Sequence, residues 1–470
     1  MSKNFKKTLF IFRRDFRLED NLGLLSLLEQ SEEVVLAFVF DERQMDPDKN
    51  DYFSAPAFQF LLNSLAELDD VIKSRGATLN IFLGEPASVA CSLIAKDKIE
   101  AVFVNKDYTP FSRKRDKEIA DVCKKDGVVF ERHEDVTLSP IEEIRTGTGN
   151  LYSVFTPFMR KAMTHEVPKP RKNNFSNYYA GSLKTKTIAL HTIKVDIGER
   201  ELILKGGRRE ALSILKESQY LKNYKDRRNI PSDQGTSRLS AHHKFGTISI
   251  RESYHTAVDN VGSVSDFVAQ LYWRDFYYYI SYHFPIVFKK SFLPWSKYIT
   301  WVNNKNHFQA WCEGKTGVPM VDAGMRELKN SGWMHNRVRM VVASYLTKNL
   351  LIDWRWGEKY FAQNLIDYDP AQNNGGWQWS ASTGADPRPL RIFNPYTQAK
   401  KYDPHAEYIK KWVPEMQEVD IKKLTDGKTQ DFSKLTGGYP APLIDQKESY
   451  HRTMSVYRAA KYEWRRTRKD

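Results

Sequence analysis

With 470 residues the chain exceeds one ordinary hydrophobic core, so two or three domains are expected. A formal charge of +14 and 13 % aromatic residues exclude an acidic, solvating chain and point to a polyanionic partner, most simply nucleic acid. Three scattered cysteines, Cys91, Cys123 and Cys312, support neither a disulfide framework nor a zinc site and fit a reducing, cytoplasmic setting. The N-terminal apolar run, 8–12, is too short for a signal peptide or a membrane span, so no membrane association is expected.

Residues 1–130 alternate apolar runs (TLFIF, VVLAFVF, LNIFL, AVFVN) with longer helical stretches such as 55–75 and 112–125, which predicts an α/β domain with a doubly wound parallel sheet. Over 131–205 this pattern weakens into a Pro-, Asn-, Ser- and Lys-rich connection. From 206 to 470 strand signals nearly vanish, and amphipathic runs such as VSDFVAQLYWRDFYYYISYHF predict an all-α domain. The basic end, AAKYEWRRTRKD, reads as a solvated tail.

Several familiar motifs fail. Gly314-Lys315-Thr316 resembles the end of a phosphate-binding P-loop, but the glycine required five residues earlier is Gln309. The glycines of RTGTGN follow no convincing strand and open no helix. Adjacent His242 and His243 cannot share one face of a helix or strand, so a joint metal site is not expected. No hydrolase nucleophile is visible.

The most informative stretch is 328–379. Trp333, Trp354, Trp356, Trp377 and Trp379 fall there among arginines, amides and the acids Asp367 and Asp369. Tryptophan seeks a partner for its indole N–H, and two buried acids need cations, so this mixture suggests the lining of a polar cavity.

These residues belong to an ordered series: RRDFRLEDN (13–21), VFTPF (154–158), GTSRLS (235–240), YWRDF (272–276), GWMHNRVRM (332–340), DYDPAQNNGGWQW (367–379), RIFNPYTQAKKYD (391–403) and GYPAPLID (438–445). The series resembles the photolyase/cryptochrome family, and most closely class I photolyases that split cyclobutane pyrimidine dimers. The resemblance implies bound FAD and light-dependent repair of damaged DNA by a carbon–carbon lyase acting as a monomer. The alternative is a cryptochrome-like blue-light photoreceptor, for which an acid would be expected at Asn373.

The same resemblance assigns Tyr224, Thr236, Ser237, Arg238, Leu239, Ser240 and Arg274 to FAD contacts, the GTSRLS segment holding the phosphates. Hydroxyl and backbone donors suit a diphosphate, although helix capping explains Ser and Thr equally well. Arg339 is expected to pair with Asp367, Asp369 to accept from the flavin's pyrimidine edge, and Asn373 to present its amide oxygen to flavin N5. Gln270, Trp273, Asn336, Arg337, Met340 and Trp379 are assigned to the pocket for a flipped-out dimer, with Gln270 replacing the family's usual glutamate. Asn336 and Met340 stand where 6-4 photolyases carry histidines.

Trp377, Trp354 and Trp301 match the tryptophan chain that carries electrons from the surface to FAD, whereas Trp311, Trp333 and Trp356 are left to packing. A second, antenna chromophore is implied in the N-terminal domain. Phe111 and Ser112 replace the Asn-Glu pair of folate binders, favouring 8-hydroxy-5-deazaflavin over methenyltetrahydrofolate, with Asp107 and Lys244 as candidate contacts. Arg337, Arg388, Arg391, Lys400 and Lys401 are expected to meet DNA phosphates, giving affinity that falls with salt.

Overall fold

A computed structural model describes residues 3–217, 221–387 and 389–467. Five short strands form one parallel sheet: β1 (Phe5–Phe12), β2 (Ser31–Phe40), β3 (Leu79–Leu83), β4 (Ala101–Asn105) and β5 (Val129–His133), in the order β3-β2-β1-β4-β5. β1 is apolar and buried from Thr8 to Phe12 because helices cover both faces, which is why it reads as a continuous apolar run. Leu9, Ile11, Val102 and Val104 pack one face, and Phe10, Phe12, Phe38 and Phe103 the other.

β5 crosses the boundary expected at residue 130. Its sequence, VFERH, carries charges on a partly exposed edge strand and therefore lacks the apolar signal of its neighbours. The stretch 131–205 contains the helix Phe155–Ala162 and also returns to the sheet: Tyr179 N donates to Val34 O at 2.8 Å and Ile188 N to Ile81 O at 2.8 Å. Beyond residue 206 the described residues form helices and turns, and none of the helices is long and apolar enough to cross a membrane.

Chain order reverses direction across the sheet between β1 and β4. In such sheets a crevice opens beyond the carboxyl ends of these two strands. Arg13, Arg14 and Asp15 leave β1 there, and Lys106 and Asp107 leave β4. The helical part of the chain docks onto this crevice through buried charges. Arg17 holds Asp135 at 2.6 Å, and Arg251, from the helix Ile250–Val261, reaches Asp20 at 2.9 Å and Asp135 at 2.8 Å. Burial pushes Asp135 upward, but Arg17 and Arg251 outweigh it and hold the carboxyl below its ordinary range.

Gly246 shows how close the two parts lie. Its φ is +61°, and a Cβ there would meet Arg14 O at 2.3 Å and the Asp15 Cα at 2.6 Å. Gly246→Ala is therefore expected to cost at least about 1–2 kcal/mol from the left-handed backbone alone. Thermal unfolding should show a clear drop in Tm, and an unchanged Tm would contradict this account of the junction.

Candidate active site

Three helices converge on a cavity of about 550 Å3. The first is Asp266–His283, started by Ser265, whose side chain accepts from Val268 N. Its Gln270, Trp273, Arg274 and Tyr277, spaced three or four apart, share one face and line the cavity. Trp273 is fixed from behind by Phe155, stacked with ring centroids 3.8 Å apart at 11°. Arg274 donates to Val136 O and His243 O and lies 4.9 Å over the Tyr278 ring.

The second helix, Asn336–Ser344, begins at His335, whose Nδ1 accepts from Arg337 N at 3.1 Å. Asn336, Arg337, Arg339 and Met340 project from it into the cavity. Arg339 donates to both Asp367 oxygens at 2.9 and 3.2 Å and to Met334 O at 2.8 Å. Arg337 donates to Asn229 Oδ1 at 2.7 Å and lies 4.4 Å over the Tyr402 ring.

The third helix, Pro370–Ser380, is capped by Asp369 and opened by a proline whose missing N–H costs nothing in the first turn. Gln372, Asn373, Gly376, Trp377 and Ser380 line the cavity from one face of it. Asp369 Oδ1 accepts from Ala371 N and Gln372 N, and its Oδ2 accepts from Arg14 at 2.5 Å and from the Tyr278 hydroxyl. Burial pushes Asp369 up, but Arg14 and Lys244 outweigh it and hold the carboxyl at about 2. These four protein donors fix Asp369 where it meets the cavity lining.

The cavity is graded. Asp367, Asp369, Leu239 and Trp377 at its floor are buried, whereas Gln270, Trp273, Met340 and Trp379 are partly exposed and Asn336 is exposed. Tyr224 and the whole segment Thr236–Ser240 close one side; in it Arg238 adopts φ +55° and Leu239 N donates to Ser237 Oγ at 3.3 Å. Gln270 Nε2 turns back to Asp266 O at 3.3 Å.

Cations outnumber acids on this lining. Arg228, Arg238, Lys244, Arg274 and Arg337 have no carboxylate within ion-pair distance among the described residues. One guanidinium nitrogen of Arg228 is buried with no partner. A Cβ at Gly376 would meet open space. Surplus donors beside room at a helix surface fit a bound dinucleotide carrying a diphosphate.

Two expected site residues lie away from the lining. Trp354 is buried, its indole N–H on Ser291 Oγ at 3.1 Å, and Trp301 packs edge-on against Tyr457 at 6.5 Å. Both belong with Trp377 to one aromatic-rich core. Trp377 fits beside Gly357, where a Cβ would meet its ring at 2.1 Å, and its ring lies edge-on to Phe361 at 4.9 Å and Trp311 at 6.0 Å.

Lys244, expected at a separate antenna site, also lines this cavity; burial and Arg14 lower its pKa to about 8 against the pull of Asp369 and Asp107. Asp107 sits in the crevice of the sheet, accepting from Arg14 at 3.3 Å and Ser112 Oγ at 2.9 Å. Arg391, Lys400 and Lys401 are exposed, and Arg388 lies outside the described residues.

Sequence reading missed Arg14, Arg228, Tyr277, Trp333 and Gln372. Helical spacing pointed to Tyr277, seven residues after Gln270, and to Gln372 beside Asn373. Trp333, read as packing, lines the cavity beneath Arg238, 5.2 Å from its ring. Arg14 carried no signal, because its partner is 355 residues away.

Residues 8–173 match the family model described as DNA photolyase, and residues 267–459 match the FAD binding domain of DNA photolyase. A deoxyribodipyrimidine photo-lyase from Synechococcus is 36 % identical, covering 96 % of each chain. A Sulfolobus tokodaii photolyase solved with two FAD molecules superposes with TM-score 0.86 at 38 % identity, covering 96 % of this chain and 100 % of its own. A class III photolyase from Agrobacterium tumefaciens gives TM-score 0.89 at 31 % identity, covering 98 % and 99 %. With its floor of paired acids, its surplus of cations and relatives alike over their whole length, the chain belongs to the DNA photolyase family.

Proposed function

We propose that the buried floor of the cavity holds FAD and that its partly exposed aromatic mouth receives a pyrimidine dimer flipped out of DNA. The enzyme carries out light-dependent DNA repair, a deoxyribodipyrimidine photo-lyase reaction. Held there in its reduced form, FAD would supply on excitation by light the electron that opens the cyclobutane bonds and would take it back afterwards. There is no net redox change, so the reaction is a lyase reaction. The observation that carries the placement is the set of five cations on one graded cavity that have no carboxylate partner among the described residues.

Arg238 and Arg228, with the hydroxyls of Thr236 and Ser237, stand ready for the diphosphate. Arg339 neutralises Asp367, so this acid can sit beside a cofactor without an uncompensated charge. Asn373 presents an amide oxygen to flavin N5 and offers no acidic proton, which favours repair over the cryptochrome-like reading. Trp273, held flat by Phe155, gives a stacking surface for a base, with Met340 and Trp379 on the other walls.

Gln270 keeps a donor and an acceptor at the mouth but no charge. Arg337, Arg391, Lys400 and Lys401 add phosphate contacts that position the duplex without reading its sequence. One chain carries every residue of this site, so the enzyme is complete as a monomer.

Asp107, Ser112 and Phe111, the last beneath Arg43 at 5.3 Å, mark the antenna position in the crevice of the sheet. Phe111 and Ser112 favour 8-hydroxy-5-deazaflavin there over a folate. The chromophore extracted from protein made in its own host should be a deazaflavin; a folate or a second FAD would contradict this assignment.

Trp377, Trp354 and Trp301 carry electrons inward to FAD in short steps. Trp377→Phe is therefore expected to abolish photoreduction of oxidised FAD while chemically reduced enzyme still repairs dimers under blue light. Absorbance under illumination and a dimer-repair assay check the two halves. Photoreduction at the full rate would overturn the tryptophan assignment.

A further inference from the structure

Glu358 lies behind Asn373, on the helix Trp354–Asn364, and takes no part in the cavity lining. Asn373 Nδ2 donates to Glu358 O at 2.9 Å and to Glu358 Oε1 at 3.1 Å. A backbone carbonyl can only accept, so the amide nitrogen must face Glu358 and Oδ1 must face the other way. The two hydrogen bonds thus fix which end of Asn373 is available to the cavity.

The carboxyl itself is unusual. Glu358 is 5 % exposed, and among the described residues no cation lies within ion-pair distance of it. Its neighbours Arg355 and Lys359 pair instead with Asp353 and Asp51. The other titratable groups facing it are Tyr52, from the segment after β2, and Tyr368, from the segment before the helix Pro370–Ser380. Tyr52 lies beside the carboxyl and lowers its pKa, stacks on Tyr368 with centroids 6.4 Å apart, and is 37 % exposed. Burial pushes Glu358 up to about 7, against the hydrogen bond from Asn373 and the neighbouring Tyr52 hydroxyl.

We propose that Glu358 is a positioning residue for the N5 edge of FAD: a buried carboxyl, held between Asn373 and Tyr52, that couples the charge beside N5 to protons from solvent. This rests on the reading that Asn373 faces N5. An ionised Glu358 opposes the arrival of an electron beside it, and a protonated one does not. Reduction of the cofactor therefore draws one proton onto Glu358. The electron comes from the tryptophan chain or from an added reductant, and the proton comes from solvent past Tyr52. The sign follows: the midpoint potential of bound FAD falls as pH rises through neutrality.

Spectroelectrochemical titration of the FAD-loaded enzyme from about pH 6 to about pH 8 tests this. Glu358→Gln keeps an acceptor for Asn373 but cannot titrate, so it is expected to lose the part of the pH slope centred near neutrality. A wild-type slope in Glu358→Gln would overturn the proposal. Asn373→Leu separates the underlying reading, because an unchanged flavin spectrum and potential in that variant would mean that Asn373 does not face N5.

Infrared titration of the protein without FAD gives a second readout. The protonated carboxyl band that titrates near neutrality should be absent from Glu358→Gln. Tyr52→Phe removes a hydroxyl that favours the ionised form and should move the midpoint of that band upward. An unmoved midpoint would overturn the connection through Tyr52, and with it the coupling, even if Glu358→Gln failed to fold.

Discussion

Asp369 accepts four hydrogen bonds at once, two from the start of the helix it caps and two from Arg14 and Tyr278. That helix carries Asn373, Gly376 and Trp377, and Arg14 leaves the end of β1 at the point where the sheet's chain order reverses. One carboxylate therefore sets the helix that lines the cavity against the sheet. A buried ion pair is no large source of stability, since desolvation offsets most of the Coulombic gain. Its consequence lies in placement: breaking either side leaves a buried charge uncompensated, so alternative docking arrangements are disfavoured.

The cavity shows the complementary principle. Its acids are compensated within the protein, Asp367 by Arg339 and Asp369 by Arg14, whereas several of its cations are not. Uncompensated cations at a concave, partly dry surface store binding energy for an anion, and a dinucleotide with DNA phosphates beyond it supplies several. The mouth then needs little sequence readout. In the proposed function Trp273, Met340 and Trp379 offer apolar surface to a base that has left the stack, and phosphate contacts hold the rest of the duplex.

How much of this could be read from sequence depended on distance along the chain. Four strands were legible because they are buried on both faces and unbroken by charge, and β5 was not, because it is a charged edge. The cavity-lining positions on Asp266–His283 and Pro370–Ser380 follow helical spacing, so the sequence exposed most of them together with the family pattern. Partners distant in sequence were invisible. Arg14 on Asp369 leaves no local trace, and neither does Glu358 behind Asn373, although these contacts decide what two of the expected flavin ligands are free to do. The crevice of the sheet and the cavity adjoin at Lys244, and a lysine between them answers to Asp107 and Asp369 alike.

The central claim concerns what the cavity does when light reaches its cofactor. The most direct measurement is the loss of cyclobutane dimers from irradiated DNA incubated with the FAD-reduced enzyme, compared under blue light and in darkness. The account predicts dimer loss in light, none in darkness, and many dimers removed per enzyme without consumption of reductant. Dimers that persist under light, with FAD bound and reduced, would contradict it.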